Sequence, residues 1–307
     1  MIIISMIDIK LIKKSIIPLF IFSFLLLILV PFIGLEVKGA KRWLDLSLFK
    51  LQPVEIIKPF FVLICANILS DLKNKNPNQS YFFSSIILVS IVVLLLNQPD
   101  VGQSILLTIT WISLIFISGI KFIFILLILL LLLLAGLIVF LLFPDKFGYI
   151  INRITTFYDP SRGDSFQTDK ALAAIKLGGL KGQGMGEGIL KDSVPEAHTD
   201  YIIAVITEEF GSIISVLVVS IFLYISYKII KICINSSNTN LKISLCGLAS
   251  LLIFQTFIHI GVNTSLLPTT GMTLPFLSYG GSSLISSSIL AGIILNFTKN
   301  RFENEKY

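Results

Sequence analysis

Residues 194–210 read VPEAHTDYIIAVITEEF, so Glu196, His198 and Asp200 lie in a polar stretch that runs directly into an apolar segment, which then carries Glu208 and Glu209. Thr199 is a residue type that caps a helix beginning near Asp200. The dipole at such a helix start favours an ionised Asp200, and an ionised carboxylate at a wet surface can accept a proton from a hydroxyl nucleophile. Glu208 and Glu209 follow about 12 Å farther along, at about 1.5 Å rise per residue. Two adjacent carboxylates at that depth need a partner, water or a proton. Lys58, the one Lys or Arg placed in the outer half of a span, is their expected partner.

Four other stretches carry groups that chemistry can use. In GAKRWLDLSLFKLQPVEIIK (39–58), Lys41, Arg42 and Lys50 alternate with Trp43, Leu44, Leu46, Leu48 and Phe49. That pattern suits an interfacial amphipathic segment with a Trp anchor. It equally suits a cationic surface for a phosphate headgroup, with Arg42 the better bidentate donor. Pro53 then opens a helix on which Glu55 and Lys58 stand three residues apart on one face. Paired, they offset much of the cost of a charge in a bilayer, either as a structural pair or as the lining of a cavity. In NQPD (97–100), Asp100 is placed to cap the next helix, with a catalytic or metal role the alternative. GGLKGQGMGEG (178–188) lacks the spacing of a nucleotide loop. Its backbone N–H groups suit either a phosphate or sugar or a tight re-entrant turn.

The elements that position these groups are membrane helices. The chain has 307 residues, 55% hydrophobic and 14% charged, with a mean hydropathy of +0.91. Soluble domains carry about 25% charged residues. Apolar runs at about 15–35, 53–70, 81–96, 102–119, 122–143, 201–228, 242–262 and 282–297 predict an all-α polytopic membrane protein with about eight crossings. Lys10, Lys13, Lys14, Lys73, Lys75, Lys121, Lys228, Lys231, Lys242, Lys299, Arg301 and Lys306 collect on one side, which places both termini in the cytoplasm. The outer face then bears the basic loop 36–52, NQPD, the loop 144–199 and the loop 263–281. Loop 144–199 contains apolar and aromatic residues and is expected to be an ordered lid within one membrane domain spanning 1–307. The net charge of +6 follows from topology and requires no nucleic acid. Cys65, Cys233 and Cys246 show no C-x-x-C spacing, so no disulfide framework or metal site is indicated.

GLEVKGAKRWLDL, QPVEIIK, NQPDVGQS, RITTFYDPSRGDSFQTDKALAAIKLGGLKGQGMGEG, PEAHTDYIIAVITEEFG and PTTGMTLPFLSYGGSS together resemble the signatures of the SEDS family, in the family's order. The wording around Arg42 and Asp200 resembles the division branch, FtsW, more than the elongation branch. The resemblance implies a peptidoglycan glycosyltransferase of the bacterial inner membrane that joins lipid II units at the outer face. The C4 hydroxyl of an acceptor GlcNAc attacks the anomeric carbon of a lipid-linked MurNAc, the centre inverts and undecaprenyl diphosphate leaves. The family's catalytic Asp falls on Asp200, as general base. Lys41, Arg42, Glu196, His198, Thr199, Lys181, Ser278 and Tyr279 become candidate substrate contacts, with Lys41, Arg42 or a divalent cation offsetting the diphosphate charge. The implied partners are a class B penicillin-binding protein transpeptidase and other membrane proteins of the division machinery. Two departures stand out: Val54 replaces a residue that is more often Ser, and the family's ten spans imply two more before the first span here. A flippase for the lipid-linked precursor, or an inactive scaffold, are the alternatives.

Overall fold

The computed structural model describes residues 1–37, 39–47, 49–70, 77–142, 144–159, 166–190 and 193–304. Its elements in chain order are α1 (Ile2–Met6), α2 (Ile9–Ile33), β1 (Leu35–Val37), β2 (Ala40–Asp45), β3 (Lys50–Leu51), α3 (Pro53–Ser70), α4 (Pro77–Asn97), α5 (Val101–Ile117), α6 (Phe122–Leu142), α7 (Pro144–Tyr158), α8 (Phe166–Gly178), α9 (Ile202–Ile234), α10 (Thr239–Asn263) and α11 (Gly281–Asn304). Among the described residues, six helices are long and apolar enough to cross a membrane: α2, α3, α4, α9, α10 and residues 281–299 of α11. The apolar helix α5 has 17 residues, at the short end of what spans a bilayer. The eight apolar runs of the sequence fall on these seven helices and on α6.

The chain divides into two compact units, one of residues 1–118, 221–256 and 272–307, the other of 119–220 and 257–271. In the first unit α3 is the centre, packing against α2, α4, α5 and α11. It buries 13 of its 18 residues, including Glu55 and Lys58. α2 is apolar all round yet buries only one stripe, Ile12, Ile16, Phe20, Ser23, Leu27 and Val30. Those residues recur every three or four positions, the spacing of one helical face, and the remaining apolar surface is what a helix in lipid presents. α1 packs against α11, where Asn296 Nδ2 donates to the carbonyls of Ile4 and Ile7.

The amphipathic segment takes the form of three short strands, at 35–37, 40–45 and 50–51. β1, β2 and β3 make a three-stranded antiparallel sheet in sequence order, with Leu35 opposite Trp43 and Glu36 opposite Lys41. Charged and apolar residues alternate in β1 (LEV) but not in β2 (AKRWLD), where Lys41–Arg42 and Trp43–Leu44 are adjacent pairs. The sheet carries Arg42 to the α4–α5 turn, where Nε donates to Gln98 O at 3.2 Å and Nη2 to Pro99 O. Two of the donors expected to grip a phosphate therefore hold a turn. Asp100 is the N-cap of α5, accepting from Gln103 N–H. Burial pushes its carboxyl above the ordinary carboxylate range, and the charge of Arg42 pulls the other way.

In the second unit, the loop 144–199 contains helices α7 and α8. The expected continuous span 201–228 is broken. Gly211 has φ 86° and ψ 166° inside α9, a backbone region that is essentially glycine's alone. A break strips helix ends of their partners, and the glycine run replaces them. Gln183 N–H donates to Glu208 O at 2.9 Å, Gly184 N–H to Glu209 O at 3.0 Å, and Ser212 N–H to Gly179 O at 2.9 Å. The run fits only because side chains are absent: a Cβ at Gly178 would overlap Thr207 O, one at Gly182 would overlap Glu209 O, and one at Gly211 would overlap Leu180 O. Two amides of the GGLKGQGMGEG run, those of Gln183 and Gly184, are thus spent on protein carbonyls and not on a phosphate or sugar.

Candidate active site

Asp200 lies in the turn that leads into α9. The backbone reverses at Glu196, which takes a left-handed φ of 57°, uncommon for a residue with a side chain. Its carbonyl then gathers three donors, the N–H groups of Thr199 at 3.1 Å, Asp200 at 3.0 Å and Tyr201 at 3.3 Å. Thr199 does not serve the helix as its cap in the expected way. Its hydroxyl donates back to Glu196, to Oε2 at 3.0 Å and to the carbonyl at 3.2 Å. The cap comes from α10 instead, where Asn263 Oδ1 accepts from Ala204 N–H at 3.1 Å.

Tyr201 anchors the turn from below. It is 1% exposed and packs in a core cluster with Ala171, Ala174, Val194, Ala197, Ala204 and Val262. Burial raises its phenol above the ordinary tyrosine range, the negative charge of Asp200 adds to that, and Arg153 opposes it. Asp200 and Arg153 therefore both act on one phenol. Arg153, from α7, also donates through Nη1 to Thr269 O at 3.0 Å. On the open side, Glu196 and His198 are exposed and Thr199 and Asp200 are half-buried.

The remaining candidates separate. Glu208 is fully buried and uses Oε1 to accept from Leu190 N–H at 2.7 Å. Glu209, the next residue, is half-buried, and Lys181 is exposed on the glycine run. Lys58 is paired with Glu55 at 2.8 Å, not with Glu208 or Glu209 as the sequence suggested. Three residues along one helix bring the two charges together without any long-range contact. The pair belongs to a buried chain of polar contacts in the first unit. Gln103 Nε2 donates to Glu55 Oε1 at 2.8 Å, and Lys58 Nζ to Gln255 Oε1 at 3.2 Å. Gln255 Nε2 continues to Thr273 O at 2.9 Å, and Ser286 Oγ donates to Glu55 O at 2.6 Å. Ser278 is buried and closes the 274–278 turn by accepting from Leu274 N–H at 2.8 Å. Tyr279 is 81% exposed. Lys41 is half-buried on β2.

Sequence reasoning did not single out Asn263, Arg153, Gln103, Gln255 or Gly211. The amides had a usable signal: a side-chain amide inside an apolar run must find partners. Gly211 follows the two glutamates and gave no local sign of a break, since isolated glycines are tolerated in helices. Among the described residues no group of three or more His, Cys, Asp or Glu side chains could hold a metal ion. A divalent cation held by protein side chains alone does not fit there.

The family model described as cell cycle protein, covering FtsW, RodA and SpoVE, matches residues 1–303. The chain belongs to this FtsW/RodA/SpoVE family. Two relatives, both named "Probable peptidoglycan glycosyltransferase FtsW", come from Caulobacter vibrioides and a Geobacter species. The first is 33% identical over 302 residues, 98% of this chain and 76% of the relative. The second is 38% identical over 292 residues, 92% of this chain and 78% of the relative. Among solved structures, a chain of a peptidoglycan synthase complex that coordinates polymerization and crosslinking matches with a TM-score of 0.80 at 25% identity. The match covers 98% of this chain and 85% of that one. A variant of the rod shape determining protein RodA of Thermus thermophilus matches with a TM-score of 0.71, also at 25% identity, over 98% of this chain and 83% of that one. The FtsW/RodA/SpoVE fold is thus a polytopic helical membrane fold, with the small sheet between α2 and α3 as its one β element among the described residues.

Proposed function

We propose that this chain is a peptidoglycan glycosyltransferase of cell division, polymerising lipid II at the outer face of the bacterial cytoplasmic membrane. The observation that carries the activity is its likeness to relatives named for it, over at least 76% of their length. The residue roles rest on the turn before α9. Asp200 is the general base. It is half-buried and sits in a turn whose strained Glu196 gathers three backbone donors. Backbone strain held by surrounding contacts collects at functional sites. Asp200 removes the proton from the acceptor sugar's C4 hydroxyl as that oxygen attacks the anomeric carbon, and the diphosphate departs with the bonding pair. Such a base contributes typically about 10²–10⁴-fold.

The departing diphosphate needs positive charge. We assign this role to Arg153, which lies in the same compact unit as Asp200 and is held by Thr269 O, in preference to Arg42, whose Nε and Nη2 hold the Gln98–Pro99 turn. A divalent ion, if the reaction uses one, arrives with the diphosphate, since the described side chains offer it no cluster. Exposed Glu196 and His198, with half-buried Thr199, form the rim that meets the sugars, and exposed Lys181 of the same unit is a further contact. The Lys/Arg distribution supports cytoplasmic termini. The likeness to a synthase complex supports a crosslinking partner of the class B penicillin-binding type.

The experiment is lipid II polymerisation by the purified chain in liposomes, with and without that transpeptidase. Asp200→Asn is expected to abolish glycan strands while insertion and the unfolding temperature are retained. Parental polymerisation by Asp200→Asn rejects the assignment of Asp200. Lipid II translocation without polymerisation by the parent would favour a flippase.

A further inference from the structure

Asn263 ends α10 and is fully buried. Its described hydrogen bonds all go to backbone. Nδ2 donates to His259 O at 2.9 Å and to Asp200 O at 2.9 Å, and Oδ1 accepts from Ala204 N–H at 3.1 Å. An asparagine amide has two hydrogens to give, and both are used. The bond to His259, one turn back on its own helix, fixes the rotamer. The other two leave α10 and grip the chain on either side of the first turn of α9. One shares the Ala204 N–H, which also donates to Tyr201 O at 3.0 Å. The other pins the carbonyl of Asp200 itself.

The anchor is itself held. Ser265 takes φ 52°, and the N–H groups of Leu266 and Leu267 both return to Gly261 O, at 2.7 and 3.0 Å. Gly261 packs closely on Leu267: a Cβ there would stand 2.7 Å from Leu267 Cδ1 and would require that side chain to shift. A few residues on, Thr269 O receives Arg153. The end of α10 is therefore a fixed point. Asp200 lies in the turn ahead of α9, its N–H bound to Glu196 O at 3.0 Å and its carbonyl to Asn263.

We propose that Asn263 is the positioning residue for Asp200, setting where the carboxylate meets the acceptor hydroxyl. The proposal rests on the reading of Asp200 as general base. It explains why a side-chain amide is buried at the end of an apolar helix, and why Thr199 is free to turn its hydroxyl to Glu196. A helix cap alone would need only the acceptor atom. The donor to Asp200 O is the part that acts on the residue bearing the carboxylate.

Two variants separate those parts in the full chain reconstituted with lipid II. Asn263→Asp keeps an acceptor for Ala204 N–H and removes the donors, and Asn263→Ala removes both. Each is made in the Asp200 and the Asp200→Asn backgrounds. Since a displacement of about 1 Å can cost about 10²-fold, both variants should lower kcat by about 10- to 100-fold, with KM changed by less than about threefold. In the Asp200→Asn background they should change the residual rate by less than about threefold, because a base already lost cannot be misplaced. Where that residual rate lies at the detection floor, the division between kcat and KM decides. Equal losses in both backgrounds, a loss confined to KM, parental kcat in Asn263→Asp, or failure of both variants to fold would overturn the proposal. Parental activity in Asp200→Asn would overturn the reading of Asp200 instead.

Discussion

Replacing Gly211 with alanine should be among the most damaging single-methyl changes in the chain. Two independent costs meet there. At φ 86° and ψ 166° the backbone lies where residues with a side chain cost about 1–3 kcal/mol. The new methyl would also overlap Leu180 O and lie 2.6 Å from Leu180 C and Lys181 C. Those atoms are backbone, so the glycine run itself must retreat. Its contacts with the break are three backbone hydrogen bonds of 2.9–3.0 Å, and each buried group left without a partner costs about 1–3 kcal/mol. Losing one or two bonds brings the expected cost to about 4 kcal/mol or more, a large part of the roughly 5–15 kcal/mol that holds a typical fold together. Gly186 provides the control. Its φ of 84° is nearly the same, but no atom lies within 4 Å of its Cβ position. Gly186→Ala should therefore cost only the conformational part, about 1–2 kcal/mol. The assay is the apparent unfolding temperature of both variants in detergent, with limited proteolysis across residues 178–190. Gly211→Ala should unfold at a clearly lower temperature and be cut faster there. Equal shifts for the two variants would refute the clamp.

Two further outcomes follow from the first unit. Lys58→Met leaves Glu55 buried without its cation and should cost about 3–5 kcal/mol, whereas Glu55→Gln combined with Lys58→Met should recover much of the loss; strictly additive losses in unfolding temperature would show that the two side chains are not coupled. Asp100 has a folded-state pKa raised above its unfolded value, so the native state binds the proton more tightly, and stability falls as pH rises from the unfolded value through the folded one. Asp100→Asn keeps a side chain able to cap α5 and should flatten the dependence of unfolding temperature on pH above pH 4; parallel curves for parent and variant would exclude Asp100 as its source.

The spans were legible because a bilayer imposes a simple rule of length and apolarity, and runs such as that of α6 satisfy it unaided. Glu55 and Lys58 were legible as a pair because three residues on a helix fix their proximity before any tertiary contact forms. Lys58 was nevertheless also assigned to Glu208 and Glu209, because the sequence does not reveal how a buried carboxylate finds a backbone donor such as Leu190 N–H. The sheet of residues 35–51 was hidden by the same charged and aromatic residues that mark an interfacial helix. The break at Gly211 was invisible because it depends on a glycine run more than twenty residues away in sequence.

These misreadings share a cause, which also links the places where the chain does something unusual. In an apolar medium a backbone group released from regular structure must find another partner. Three irregular points in the described chain are each met by one. The α4–α5 turn gives its carbonyls to Arg42, the Gly211 break gives its ends to the glycine run, and the start of α9 receives Asn263. The polar side chains that first looked like reagents are therefore of two kinds. Arg42, Glu208 and Asn263 turn toward backbone and hold irregular segments in place. Asp200, half-buried at the start of α9 with exposed Glu196 and His198 beside it in the chain, is the residue we propose as the acceptor of the sugar's proton, and these backbone contacts are what hold its turn in place.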